Sequence, residues 1–290
     1  MSDKIYLRYM GGLGNQMFQY AFMESLRNRG RDAYPNMDWY KQNQNASLNF
    51  VLQEVFPNTK MPVPDEKEVQ KSRKMQRIKK GINLICRREV FYVGEREDAV
   101  FEPEVYKQKG GTWDGYWQSE KYFLPIENQI REAFTFQVTD ASLKRFIKQM
   151  EDTPNTVSVH LRRGDYKGVE DMYGGICTPE YYERAISYME EHLENPTFYI
   201  FSNDIAWVKE NFKGKNFVYI TSDMFDTYEN WYDMLLMSSC KNNIIANSSF
   251  SWWGAWLNRN KEKLVIAPKK WVNTSSTPDK WAAGWMKCGG

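Results

Sequence analysis

From residue 156 onward, short apolar runs alternate with helical patterns, and this alternation leaves the chain few architectures to choose from. Strand-like runs fall at 156–162, 197–202, 217–221, 243–246 and 264–267, the last of the series. Between them lie helical patterns starting at Pro179, spanning 204–212 and 228–240, and starting near Phe250. Thr178 followed by Pro179 is a helix start, with the hydroxyl as N-cap and proline at the first helical position. Repeated strand–helix alternation predicts a mainly parallel, doubly wound sheet. Such sheets bind ligands at the carboxyl ends of their strands. The polar loops 163–168, 202–204 and 247–251 all lie at those ends.

The first half begins in the same way. A strand over 5–10 runs into Gly11-Gly12-Leu13-Gly14, and a helix follows over 15–29, closed by Gly30 in the left-handed conformation. Residues 35–65 read as irregular. Residues 65–88 carry nine basic and three acidic residues and read as one helix. Further strands are expected at 91–93 and 112–118, and helices near 124–134 and 141–150. The polar run Glu151-Asp152-Thr153-Pro154-Asn155 breaks the pattern. It predicts a domain boundary that separates 1–152 from 153–290.

At 290 residues the chain has room for one large domain or two ordinary ones. A net charge of +2 does not suggest a nucleic-acid partner. Four cysteines without a CxxC pair indicate neither a zinc site nor a disulfide framework, and reduced thiols fit a cytoplasmic chain. The stretch MSDKIYLRYMGG lacks a signal-peptide core. No apolar run reaches the ~18–20 residues that span a bilayer. The basic 65–88 helix is either a solvated face or an electrostatic attachment to the anionic inner face of the membrane. Two histidines exclude chemistry built on several of them.

Four segments could carry chemistry. HLRRGDY, 160–166, brings Arg162 and Arg163 out beside a glycine where a strand ends, and two guanidinium forks there suit a diphosphate. Structural salt bridges are the competing reading. In GGLGNQ, 11–16, Gly12 and Gly14 allow close backbone approach, and the free amides of the helix start favour an anion. The same residues also suit a tight turn with Asn15 as helix N-cap. In FSND, 201–204, Ser202, Asn203 and Asp204 can bind a base or ribose or brace the arginines. Alternatively, Asn203 or Asp204 caps the next helix. In NSSFSWWGAWL, 247–257, Ser248 and Ser249 stand at a helix start that suits phosphate oxygens. Trp252, Trp253 and Trp256 lie on the helix body and are read as core rather than as a sugar platform.

Taken together, GGLGNQMFQYA, HLRRGDY, FSND and YDMLLMSSCKNNIIANSSFSWWGAWLN resemble, in that order, the bacterial α-1,2-fucosyltransferases of glycosyltransferase family 11. The resemblance runs from residue 6 to about 258. It implies a GT-B-like α/β architecture, with two Rossmann-like domains whose parallel sheets face across a cleft. Residues 1–152 would form the acceptor side, and 153–290 would bind GDP-fucose. It implies inverting transfer of L-fucose, without a metal, from GDP-fucose to the 2-hydroxyl of a terminal β-galactoside. The acceptor would be an oligosaccharide or glycolipid of a surface glycan such as O-antigen or capsule. By the same resemblance Arg162 contacts the β-phosphate, and His160 and Arg163 help form the donor pocket. Asp233 accepts from the two adjacent N–H groups of guanine. Ser248, Ser249 and the amide of Phe250 hold the diphosphate, and Asn15 lies beside the reacting sugar. One departure is Asn242, where a histidine commonly follows the lysine. Asp165 is the first candidate for the base that takes the acceptor proton, and Glu95 the second. An α-1,6 linkage and a non-catalytic sugar- or nucleotide-binding module are the alternatives.

Overall fold

The computed structural model describes residues 3–43, 48–162 and 170–289. Two compact units divide the chain: 1–135 with 277–280, and 136–276 with 281–290.

The first unit contains β1 (Ile5–Arg8), α1 (Leu13–Asn28), β2 (Ala33–Asn36), α2 (Asp38–Gln42), α3 (Leu52–Val55), α4 (Glu66–Cys86), β3 (Gly111–Trp113) and α5 (Glu127–Ala133). Its sheet has the order β2-β1-β3, parallel throughout. α1 is buried along most of its length because its aromatic side meets other rings. Phe22 stacks on Trp117 at 4.2 Å between centroids and meets Tyr122 edge-on at 4.9 Å. α4 lies against β3, with Val69 and Gln76 facing inward.

Three sequence expectations fail in this unit, each for a local reason. The stretch 35–65, expected to be irregular, holds the end of β2 and all of α2 and α3, and Pro35 is tolerated because β2 is an edge strand. Residues 91–93 form no strand. Asn83 takes over the Phe91 backbone groups, accepting from the Val90 and Phe91 amides at 2.9 Å each and donating to the Phe91 carbonyl at 2.7 Å. The strand expected over 112–118 stops at Trp113. Glu95 accepts from the amides of Tyr116 and Trp117 at 2.7 and 3.1 Å, and Trp117 adopts φ 57°.

The second unit contains α6 (Ala141–Asp152), β4 (Thr156–Leu161), α7 (Glu170–Tyr173), α8 (Pro179–His192), β5 (Thr197–Ser202), α9 (Ile205–Asn211), β6 (Phe217–Tyr219), α10 (Tyr232–Ser239), β7 (Asn242–Ile244), α11 (Ser249–Leu257), β8 (Val265–Pro268) and β9 (Met286–Cys288). All six strands run parallel in the order β6-β5-β4-β7-β8-β9. That is the Rossmann order, reversing direction between β4 and β7. One face carries Val157, Val159, Phe198 and Ile200 under α8 and α9. The other carries Tyr199 and Phe201 under α6 and α10. Burial on both faces explains why the strands read as near-continuous apolar runs. β9 extends the sheet beyond the 264–267 run expected to be last. The division also falls at 135/136 rather than at 152, because Leu143 and Met150 bury α6 against Tyr199, Phe201 and Leu236.

Each unit thus has the parallel α/β plan expected of it. Trp252 and Trp253 are fully buried and Trp256 nearly so, as core residues.

Candidate functional site

In the second unit, the reversal of strand order opens the sheet's carboxyl edge between β4 and β7, and Arg162 and Ser248 meet there. Arg162 directly follows β4, and its Nη1 donates to Ser248 Oγ at 2.9 Å. Ser248 is the N-cap of α11, and its Oγ also accepts from the Phe250 amide at 3.3 Å. The Phe250 amide, expected at the diphosphate, thus stands at the same helix start as Ser248. The Ser249 amide belongs to the first turn, whose N–H groups a helix cannot satisfy internally. A guanidinium, a hydroxyl and a helix N-terminus on one sheet edge form an anion-binding arrangement.

His160 sits inside β4, buried against Phe250 at 6.3 Å between ring centroids. Burial, reinforced by the charge of Arg162, lowers its pKa to about 3. The ring is therefore neutral at physiological pH and packs against Phe250. Its Nδ1 has no hydrogen-bond partner among the described residues. Ser202 ends β5 in register with Leu161. Its Oγ accepts from the Asp204 amide at 3.0 Å, and Asp204 caps α9 by accepting from the Trp207 amide at 3.3 Å. For Asp204 the capping alternative is the one found. Asn203 is exposed in the same turn. Asp233 lies in the first turn of α10, accepts from the Tyr228 hydroxyl at 2.7 Å, and is pushed up to about 6 by burial. Arg163 and Asp165 lie outside the described residues.

The loop after β7 otherwise serves the fold. Asn247 donates to the Trp271 carbonyl at 3.2 Å, and Ser251 donates to the Ser248 carbonyl at 3.3 Å. Asn242, the departure from the family pattern, begins β7 at the opposite edge of the sheet. There its Oδ1 accepts from the Leu264 amide at 2.8 Å. The departure is thus a strand-pairing feature, remote from Arg162 along β7.

In the first unit, Gly12, not Asn15, is the N-cap of α1, and the helix starts at Leu13, so the capping alternative for Asn15 does not hold. Gly11 has φ 80°, and a Cβ there would collide with the Asn15 side chain. Buried amides brace this loop. Gln16 Nε2 donates to the carbonyls of Gly11 and Asn49 at 3.1 and 2.8 Å. Its Oε1 accepts from Val51 and Leu52 at 3.0 and 3.1 Å. Gln19 accepts from the Met10 amide at 3.1 Å and donates to the Gly115 carbonyl at 3.3 Å. Asn15 alone of the three amides is partly open, and its Oδ1 accepts from Gln118 Nε2 at 2.6 Å. Gly12 and Gly14 belong to this loop-and-helix start.

Sequence reasoning misses what stands behind Asn15. Gln118 Oε1 accepts from the fully buried Lys280. Burial lowers Lys280 to about 7, against the opposing effects of Asp98 and Glu95. Burial first and Asp98 second raise Glu95 to about 7, opposed by the Trp117 and Tyr116 amides and by Lys280. Glu95, the second candidate base, accepts from the amides of the 116–117 turn. No spacing in the sequence joins residues 95, 118 and 280. Among the described residues no group of three histidine, cysteine or acidic side chains is placed to hold a metal ion.

The comparisons with known proteins agree with this picture. The family described as glycosyl transferase family 11 matches residues 104–288. An Escherichia coli alpha-1,2-colitosyltransferase is 36% identical over 94% of this chain and 96% of its own length. The chain belongs to glycosyl transferase family 11, and it is a glycosyltransferase. An Escherichia coli O-antigen biosynthesis glycosyltransferase, WbnK, is 31% identical over 93% of this chain and 97% of its own length. A galactoside alpha-(1,2)-fucosyltransferase 1 of Lagothrix lagotricha is 28% identical over 49% of this chain and 42% of its own length.

Proposed function

We propose that the chain transfers L-fucose from GDP-β-L-fucose to the 2-hydroxyl of a terminal β-galactoside, inverting the anomeric centre without a metal, in the synthesis of a surface glycan such as O-antigen. The observation that carries this reading is the Arg162–Ser248 pair at the strand-order reversal, in a family whose relatives are named for α-1,2 transfer.

As the fucosyl–oxygen bond breaks, the sugar gains oxocarbenium character and GDP gains negative charge. Arg162 holds that charge beside the α11 N-terminus, in the role a metal plays elsewhere. His160, Arg163, Ser248 and Ser249 complete the diphosphate pocket, and Ser202 with Asn203 reaches the ribose or base. Asp233, ionised, accepts from guanine. Asn15, with Gly12 and Gly14, faces the reacting sugars. Asp165 is the proposed base.

The colitosyltransferase relative supports a second reading of the donor. Colitose is fucose without its 3-hydroxyl, so the alternative donor is GDP-colitose. Incubation of each GDP-sugar with a panel of β-galactosides, with NMR of the product linkage, tests both. GDP release that depends on acceptor and an α-1,2 product support the proposal. Transfer only to another hydroxyl contradicts it.

We also propose that α4 rests on the inner, anionic membrane surface, where a glycolipid acceptor resides. No helix among the described residues is long and apolar enough to cross a membrane. Yet at the end of α4, Ile78, Leu84 and Ile85 are 56%, 79% and 82% exposed. Lys71, Lys74, Arg77, Arg87 and Arg88 surround them without an ion pair among the described residues. Apolar tips amid cations suit an anionic bilayer. Cosedimentation with phosphatidylglycerol vesicles, lost in Leu84→Glu/Ile85→Glu and absent with phosphatidylcholine alone, is expected. Equal recovery of both proteins with both vesicles contradicts the docking.

A further inference from the structure

Residues 277–280 pack within the first unit, although the chain before and after them belongs to the second. Asp279 anchors this stretch, accepting from the Phe101 amide at 2.7 Å and from Lys121 at 2.5 Å. Lys280 beside it is wholly buried, with its ammonium 5.1 Å from the Phe18 ring centroid. A buried ammonium is costly unless its surroundings satisfy it, and Asp98 first, then Glu95 where it is ionised, favours the charged form. That charge effect does not require the contact that Lys280 makes with Gln118.

Below its lowered pKa of about 7 Lys280 is an ammonium, with three donors and no acceptor. Only the carbonyl oxygen of the Gln118 amide can therefore face Lys280. This turns Gln118 Nε2 away, to donate to Asn15 Oδ1 at 2.6 Å. An amide nitrogen cannot accept, so the Asn15 amide is fixed in turn. Its oxygen faces Gln118 and its Nδ2 lies over Gly11, where the missing side chain leaves room for it. A side-chain amide alone can flip, but here the cation at one end dictates the polarity of both amides.

We propose that Lys280 is a positioning residue that, through Gln118, holds the Asn15 amide with its N–H donors toward the glycine loop to bind an oxygen of the acceptor sugar. The proposal rests on the reading of Asn15 as facing the reacting sugars. In this arrangement Asn15 supplies donors to a neutral hydroxylated ligand and takes no proton itself. The chain from Lys280 to Asn15 is directional, so breaking either link has the same consequence at Asn15.

The test uses the full-length protein, with steady-state kinetics in a β-galactoside acceptor and GDP affinity by calorimetry. Lys280→Met removes the cation. Gln118→Glu keeps the volume and still accepts from Lys280 but cannot donate to Asn15, so it reads the second link even if Lys280→Met loses the fold. Each variant is expected to lower kcat/KM for the acceptor at least ~10-fold, about 1.4 kcal/mol, with GDP affinity within ~2-fold of wild type. Adding Asn15→Ala to either variant should cost little more, because the relay ends there. A purely structural Lys280 would instead give additive losses, or leave acceptor kcat/KM within ~2-fold in Gln118→Glu, and either result overturns the proposal. The Asn15 side-chain amide NMR signals, identified by their loss in Asn15→Ala, give a readout independent of turnover. They should shift in Lys280→Met and Gln118→Glu, and unchanged signals also overturn the relay. A wild-type protein that transfers to no β-galactoside, while the two variants show these shifts, overturns the acceptor reading and leaves the relay standing.

Discussion

Both units lead a parallel strand through a polar loop into a helix, but they use the loop's side chains in opposite ways. After β1, the amides of Gln16 and Gln19 are turned inward to fix backbone groups, and Asn15 is left as a neutral amide, itself held by Gln118. After β4 and β7, a guanidinium and a cap hydroxyl stand together at the reversal of strand order. The first arrangement offers weak, oriented donors suited to sugar hydroxyls. The second offers a full positive charge suited to a diphosphate. One backbone device can therefore serve two kinds of ligand, and the side chains beside it decide which.

The largest effect that bears on this contrast belongs to Arg162. Arg162→Ala should lower kcat by at least ~100-fold, because one lost preorganised donor at a developing charge typically costs ~3–4 kcal/mol. Turnover near wild type in that variant would remove the charged half of the contrast.

Next in size is Asp233. Asp233→Asn replaces one oxygen of the carboxylate proposed to accept from guanine with a donor, and should raise KM for the GDP-sugar about 10-fold with kcat little changed. Burial lifts the Asp233 carboxyl to about 6, so nucleotide affinity should weaken as pH falls through 6 in wild type. A pH-independent affinity would show that Asp233 does not read the base.

The smallest effect concerns the first unit's buried charges. Glu95 keeps its proton to about pH 7 when folded but loses it near 4.5 when unfolded. Between those values the folded chain binds more protons, so this residue's contribution to stability falls as pH rises across that window. Denaturant midpoints measured from pH 4.5 to 7 should show that decline in wild type, and a flatter profile in Glu95→Gln. Parallel profiles would mean that Glu95 is ionised throughout.

The second unit is far more legible in the sequence than the first, for physical reasons. Its central strands are buried on both faces, so runs such as 198–201 are apolar throughout, and Thr178-Pro179 marks a helix start with two independent signals. The first unit conceals its elements. β2 contains a proline, and 91–93 has a strand's composition but yields its backbone groups to Asn83. In the second unit the exception is β9, a three-residue edge strand with Lys287 exposed and its neighbours half-buried. Arg162 and Ser248 were readable because strand ends and helix starts place them. Lys280 was not, since its partners lie 162 residues away in the chain, at Gln118, and further still at Glu95.

The division of labour is tested most directly by calorimetric titration of GDP into Arg162→Ala and Asn15→Ala side by side. GDP carries the diphosphate but no transferable sugar. If the diphosphate is held by the second unit and the sugars are met by the first, Arg162→Ala loses at least ~10-fold in affinity, about 1.4 kcal/mol, while Asn15→Ala stays within ~2-fold of wild type. Unchanged affinity in Arg162→Ala, or a comparable loss in Asn15→Ala, would contradict it.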